Sequence, residues 1–412
     1  MTGHSPPGDA SPPLSLYHLL DPEVLADPYP LYRQLRDEDP VHWDPYLHAW
    51  VVTRYEGVAE VLQRFRAART PTPDRIADLG LGQLTPIAAV MVRQMLFLDP
   101  PAHGRVRRLA SEAFTPRRVS GLREHIRHIA EALVDNLAAG DHFEAMAGFA
   151  NPLPAIVTAE MLGVPTSDHE LLKSWSEDFA EMLGNFQHNP GRTKDVLRSV
   201  EEMVAYFRAA IARDATHPTE GLINALATAE VDGDRLSEDE VVANVIVTMV
   251  GGQETTTNLI GNGLLTLLRR PDQLERLRSD PSLLPSAVEE LLRYESPSQH
   301  TARLAPSGAT LGGKDIPEGD AVIAVMGAAN RDPERFSNPD CLDLGRSDNR
   351  HLAFGWAAHF CFGAPLARIE AQIAFETLLD RFPELTLAPD AAIRWRPNLG
   401  LRGLTELHVL AR

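Results

Sequence analysis

The stretch HLAFGWAAHFCFGAPLAR, from His351 to Arg368, sets Cys361, one of two cysteines in the chain, among Phe354, Phe360 and Phe362. A free thiol in such company has four uses. Packing as a small buried hydrophobe is the ordinary one. Zinc would need more ligands at close spacing, and Cys341 is too far away to form a C-x-x-C pair. Nucleophilic chemistry would need a base. His359, two residues earlier, shares a face with Cys361 in an extended segment but has no fixed hydrogen bond to it. A thiolate ligand to iron needs one cysteine, a loop kept open by small residues, and a helix start that stabilises negative charge. Gly355, Gly363 and Pro365 supply the loop and the helix start.

Three further groups of residues have types and spacings that suit chemistry. Gly251-Gly252-Gln253-Glu254-Thr255-Thr256-Thr257 lies inside a helical pattern, where each glycine costs about 1 kcal/mol relative to alanine. Close approach of a flat ligand or small substrate would compensate, and an acid beside a hydroxyl could relay protons there. A tight helix crossing, with Thr255 bonded back to its own helix, explains the same residues. Glu290 and Arg293 stand at i, i+3 on one helix face, flanked by apolar residues that suit burial. His103 and Arg107, at i, i+4 in a basic helix start, could clasp one carboxylate, or could belong to a solvated basic face.

These residues need elements to position them. Ser237-Glu238-Asp239-Glu240 forms a capping box, and the helical pattern behind it runs to about Arg270, where Pro271 stops it. Such a helix would be roughly 50 Å long and must pass through the middle of the fold. Val41 to Tyr55 reads as a hairpin around a Pro-containing turn. Helical spacing recurs at Arg117 to Leu137, Asp195 to Arg213 and Pro365 to Arg381. Strand patterns return at Ala321 to Val325 and Thr405 to Leu410. Mainly α with small, scattered β-sheets (α+β), built around a long central helix, is the fold class this predicts, and alternating βαβ units are not.

The whole chain sets limits on function. At 412 residues with 44% hydrophobic side chains, it can bury a large core. A net charge of −18 argues against general nucleic-acid binding. Two cysteines suit a reduced, cytoplasmic setting. Residues 1–14, rich in Pro and Ser, read as a flexible tail rather than a signal or anchor, and the apolar run from Val241 is too short to span a membrane.

FGWAAHFCFGAPLAR resembles the haem-thiolate loop of the cytochromes P450, whose pattern is F-G-x-G-x-H-x-C-x-G-x-x-L-A-R. Phe354, Gly355, His359, Cys361, Gly363, Leu366, Ala367 and Arg368 fall in register. Gly252 to Thr256 is similar to the oxygen-activating segment of the family's long helix, and Glu290 and Arg293 match its E-x-x-R motif. ADPYPLYRQLRDEDPVHW and NRDPERFSNP are similar to soluble bacterial members. The resemblance covers residues 15–412 and implies one large P450-type domain.

The resemblance implies roles. Cys361 would be the thiolate ligand of haem b, with Phe354, Phe360 and Phe362 shielding it and Gly355 and Gly363 shaping its loop. His103, Arg107, Arg303 and His359 would bind the haem propionates. Glu254 and Thr255 would deliver protons during oxygen activation. Glu290 and Arg293 would form a structural pair, with Arg346 as third member and Arg331 and Arg335 as competitors. Met249, Gly251, Gly252, Ser298, Gln299 and Thr301 would line the substrate pocket, under a lid hinged at Gly184 and Asn189-Pro190-Gly191.

The implied activity is a monooxygenase that inserts one oxygen atom from O₂ into a small or medium apolar molecule, by hydroxylation or epoxidation. Secondary metabolism is a suitable setting for it. Electrons would come from a ferredoxin and its reductase, docking on the proximal face near Arg105, Arg107, Arg108, Arg117 and Arg118. The protein would be a monomer, with no nucleic-acid or membrane partner. Atypical chemistry on the same fold (aryl coupling, nitration, peroxide-driven oxidation) and a non-catalytic haem sensor are the alternatives. One departure stands out: Ala357 occupies the second glycine position of the loop pattern. Glycine there serves a tight backbone conformation, so the loop either differs or is strained.

Overall fold

Ser237 begins the element on which the rest is built. Its hydroxyl accepts the Glu240 N–H, and the Glu240 carboxylate accepts the Ser237 N–H at 2.8 Å, so both ends of the capping box are closed. The helix it opens, Glu238–Leu268, runs for 31 residues, and the helix beginning at Pro271 takes over beyond Arg269 and Arg270. The computed structural model describes residues 13–137, 140–184, 191–389 and 392–411. Most of the proposed tail and the Asn189-Pro190 part of the proposed hinge lie outside the described residues.

In chain order, the elements used below are β1 (Val41–Asp44), β2 (Ala49–Val52), α1 (Ala102–Ala113), α2 (Arg123–Leu137), β3 (His142–Glu144), α3 (Pro152–Leu162), α4 (His169–Gly184), α5 (Thr193–Thr216), β4 (Glu230–Val231) and β5 (Asp234–Arg235). There follow α6 (Glu238–Leu268), α7 (Leu284–Tyr294), β6 (Thr301–Leu304), β7 (Ala321–Ala324), α8 (Ala364–Arg381), β8 (Leu385–Leu387), β9 (Arg394–Trp395), β10 (Leu404–Glu406) and β11 (His408–Ala411).

Helix α6 is apolar nearly all round because α3, α4, α5, α7 and α8 pack on it. Its buried polar side chains tie it to neighbouring loops. Asn244 accepts from Met95 N–H at 2.9 Å, Thr257 donates to Ala150 O at 3.0 Å, and Asn262 donates to Arg402 O at 2.9 Å. Gly263 lets α8 approach closely, since a Cβ there would lie 2.6 Å from the Phe375 ring. One large hydrophobic cluster surrounds this helix, and two smaller ones pack against a four-stranded sheet ordered β1-β2-β7-β6. The pair β2–β7 is parallel and the outer pairs are antiparallel. This is the mainly helical fold with small sheets that the sequence predicts.

Two expected boundaries are corrected. The helix expected over residues 117–137 is broken at Leu122, with a short helix Pro116–Gly121 before α2. The strand expected from Thr405 to Leu410 is two strands, because Leu407 turns inward and is fully buried. β10 pairs with β9, whereas β11 lies between β8 and β3. Among the described residues no helix is long and apolar enough to cross a membrane.

Candidate active site

The loop before α8 brings Cys361 to the wall of a cavity of about 320 Å³. Cys361 N–H bonds to Phe354 O at 2.8 Å, which closes the loop, and Pro365 in the first turn of α8 starts the helix immediately beyond. Burial pushes the thiol pKa up, while the backbone N–H groups of Gly363 and Ala364 and the charge of Arg107 pull it down. Ala357 adopts φ +56°, the left-handed region that its side chain disfavours. The loop thus accepts the strain rather than changing path. Phe354 and Phe362 border the cavity, with the Arg107 guanidinium 4.9 Å from the Phe362 ring centroid. Phe360 borders the same cavity, 6.1 Å from the Phe354 ring centroid, although it is 38% exposed.

One group of polar side chains on this cavity consists of cationic or neutral donors. His103 and Arg107 come from α1, Arg303 from β6 and His359 from the loop. The rings of His103 and His359 lie 4.1 Å apart, and Arg107 donates to Phe360 O at 3.0 Å. Burial lowers all four pKa values, with His359 down to about 4 and Arg303 to about 10. His103 Nε2 and Arg303 Nε are buried without a hydrogen-bond partner. Such a cluster calls for anions. It fits the two carboxylates of a haem, and a cysteine lies on the same cavity.

On the opposite wall, α6 presents Gly251, Gly252, Glu254 and Thr255. The two glycines divide the two readings between them. Nothing lies within 4 Å of a Cβ added at Gly251, which opens onto the cavity. A Cβ at Gly252 would lie 3.2 Å from Thr158 Oγ1 on α3, a close helix crossing. Thr255 Oγ1 donates to Gly251 O at 2.6 Å, so its hydroxyl is bonded back to the helix. Glu254 is buried and ion-paired: Arg396, in the turn after β9, donates to it at 3.0 Å. Burial raises the Glu254 pKa and Arg396 opposes the rise. Arg396 also lies 3.4 Å from Glu177 on α4. No pattern around Arg396 announces this, because its partner is distant in sequence.

Ser298 and Thr301 border the cavity, but Met249 and Gln299 do not. Met249 sits one residue off the cavity-facing stripe of α6 and is fully buried in the core. Gln299 turns into the protein, donates to Ser296 O and packs against Gly327.

Away from the cavity, Arg293 donates two hydrogen bonds to Glu290, each 2.8 Å, and both side chains are fully buried. Arg346 Nε adds a third at 3.0 Å. Arg331 is instead held by Tyr294 O and Asp340, and Arg335 by Asp348. The five-arginine patch is divided. Arg105 pairs with Asp234 and Glu240, Arg108 lies 3.5 Å from Asp232, and Arg107 turns to the cavity. The β4–β5 hairpin neutralises much of what the sequence suggests is free positive charge.

The family model of cytochrome P450 matches residues 47–399. The chain belongs to the cytochrome P450 family. This P450 is 40% identical over 391 residues to the biotin biosynthesis cytochrome P450 of Bacillus subtilis (strain 168), covering 94% of this chain and 97% of that one. It is 39% identical over 412 residues to the cytochrome P450 monooxygenase PikC of Streptomyces venezuelae, covering 97% and 95%. Among solved structures, P450BioI in complex with an acyl carrier protein ligated to hexadec-9Z-enoic acid superposes with a TM-score of 0.89 at 38% identity. That match covers 95% of this chain and 99% of the other. The chain is thus a P450-class monooxygenase, and the family's haem-thiolate cofactor is the group that the cationic cluster and Cys361 suit.

Proposed function

We propose that this P450 holds haem b between α6 and the Cys361 loop and oxidises a small or medium apolar substrate with dioxygen. One observation carries the reading: Cys361, Arg107, His359 and the unpartnered donors His103 Nε2 and Arg303 Nε face one cavity with Gly251 and Thr255. When bound, haem supplies the redox chemistry that activates dioxygen, and a thiolate ligand favours O–O cleavage.

The chain's own residues bind, orient and move protons. Arg107 and Arg303 supply two positive charges for two propionates, and His103 and His359 add N–H donors. Gly251 leaves open space in the cavity for small molecules. Glu254 exchanges protons with the cavity, and the Thr255 hydroxyl, turning from Gly251 O, passes them on. Arg396 and Glu177 link Glu254 toward the partly exposed Lys173–Glu177 pair on α4. Leu62, Met95, Val247 and Val250 give the chamber apolar walls suited to a hydrocarbon body.

Electrons reach the haem from a separate ferredoxin-type protein. Two relatives are named for biotin and polyketide biosynthesis and a third as a mycinamicin IV hydroxylase/epoxidase, which supports a biosynthetic oxidation here. The test is turnover with a ferredoxin, its reductase and isotope-labelled dioxygen. Label in an oxidised product supports the reading; tight ligand binding without product favours a sensor.

A further inference from the structure

A second cavity, of about 600 Å³, lies beside the first. Both are bordered by Arg69, Leu183, His300 and Thr301, so these residues mark where the two meet. The second cavity is otherwise mostly apolar, with Ile76, Ile87, Met91 and Val196 in its walls. Arg69 is the anomaly at the junction. Its guanidinium lies over the Phe97 ring, 4.6 Å from the centroid. Its one described hydrogen bond is a long contact to Ala67 O at 3.5 Å. Among the described residues no carboxylate lies within ion-pair distance of it. Asp99, the nearby acid, is taken up by Ala67 and Ala68 N–H and lies 3.5 Å from Arg66.

The charge count separates Arg69 from the propionate cluster. Two propionates carry two negative charges, and Arg107 and Arg303 already match them. Arg69 is a third cation. It borders both chambers, whereas His103, Arg107, Arg303 and His359 border only the one with Cys361. Burial and the like charge of Arg303 bring its pKa down to about 9, so it is still protonated at neutral pH. A half-buried guanidinium without a counter-charge is held at a cost that a ligand's negative charge would offset.

We propose that Arg69 is an anion anchor that binds a carboxylate, and that this carboxylate is the head group of an acidic, otherwise apolar substrate whose body extends under Gly251. This rests on the haem-monooxygenase reading above, and it narrows the substrate class from apolar molecules to apolar acids. A haem propionate offers the same chemistry from another source, and the experiment separates the two.

The test titrates the purified haem-loaded protein, above the carboxylate pKa, with dodecanoic acid and with 1-dodecanol, reading the Soret shift. The anchor predicts that wild type binds the acid about ten- to a hundredfold more tightly, as a charge-assisted pair does. Arg69→Met should abolish that preference and Arg69→Lys should retain part of it, with haem retention against apomyoglobin unchanged in both. Equal binding of acid and alcohol by wild type overturns the proposal without needing any variant to fold. So does faster haem loss in Arg69→Met with the acid preference intact, which would make Arg69 a propionate ligand. Failure of wild type to take up haem at all would instead remove the reading on which the proposal rests.

Discussion

The Arg396 guanidinium donates a 3.0 Å hydrogen bond to the Glu254 carboxylate, across 142 residues of chain. Arg396 is itself fixed to β10, its backbone N–H bonding to Gly403 O at 2.9 Å and its Nε to Leu404 O at 3.3 Å. The acid proposed to move protons is thus steadied from the C-terminal hairpin.

Arg396→Met should therefore alter proton delivery rather than binding. Burial raises the Glu254 pKa and Arg396 lowers it, so removing the cation shifts that pKa further up. The pH–kcat profile should move to higher pH, and product formed per electron should fall by about tenfold or more, the scale of a lost proton-transfer group. KM should change little, and Arg396→Lys should recover part of the loss. An unmoved pH profile would count against the relay.

The left-handed Ala357 gives a second prediction. Its strain is worth about 1–2 kcal/mol, and glycine's extra freedom in the unfolded chain takes back about 0.5–1 kcal/mol. Ala357→Gly should therefore raise stability by up to about 1.5 kcal/mol in denaturant titrations. Haem content should stay unchanged while the reduction potential shifts, because the loop sets the surroundings of the sulfur. Haem loss on this substitution would contradict the loop assignment. Ala357→Val, branched at Cβ, should destabilise.

Glu290 and Arg293 predict a folding defect rather than a catalytic one. Removing Glu290 leaves the fully buried Arg293 without a carboxylate, and removing Arg293 leaves Glu290 with Arg346 as its one cation, at a cost of about 3–5 kcal/mol. Arg293→Ala should yield little folded protein. Arg293→Lys should not rescue it, since an ammonium cannot reproduce the paired bonds to Glu290 or those to Asn330 O and Pro339 O. Soluble yield and denaturant midpoints report this directly.

Glu289 predicts a response to acid. Burial alone would raise its pKa, but hydrogen bonds from Arg368 and His351 prevail and hold it at about 2, below its ordinary 4.5. A carboxylate held low stabilises the fold above its unfolded pKa, and this contribution is lost as pH falls from about 4.5 toward 2. With both Glu289 and Arg368 partly exposed, it is worth ~1–2 kcal/mol at neutral pH. Arg368→Met should move the acid-unfolding midpoint, followed by circular dichroism, to higher pH.

Local chemistry was legible in the sequence, and distant pairing was not. Ser237 and Glu240 announce the start of the central helix because a capping box is complete within four residues. The Cys361 loop is readable for the same reason, and Ala357 marks its strained position within one motif. Arg396 and Arg69 have no such signature. One is defined by a partner across the fold and the other by having no carboxylate within ion-pair distance among the described residues. Met249 and Gln299 mislead because proximity to a motif does not fix which way a side chain turns. The break at Leu122 is hidden because two short helices with continuous apolar spacing look like one long helix.

The central claim is that Cys361 is the thiolate ligand, and the reduced, carbon monoxide-bound absorption spectrum tests it most directly. Wild type and Cys341→Ser should show the red-shifted Soret band of a thiolate-ligated haem, since Cys341 is exposed and away from the cavity. Cys361→Ser should lose that band while keeping bound haem through the propionate cluster. The band surviving in Cys361→Ser, or its absence from haem-loaded wild type, would contradict the account.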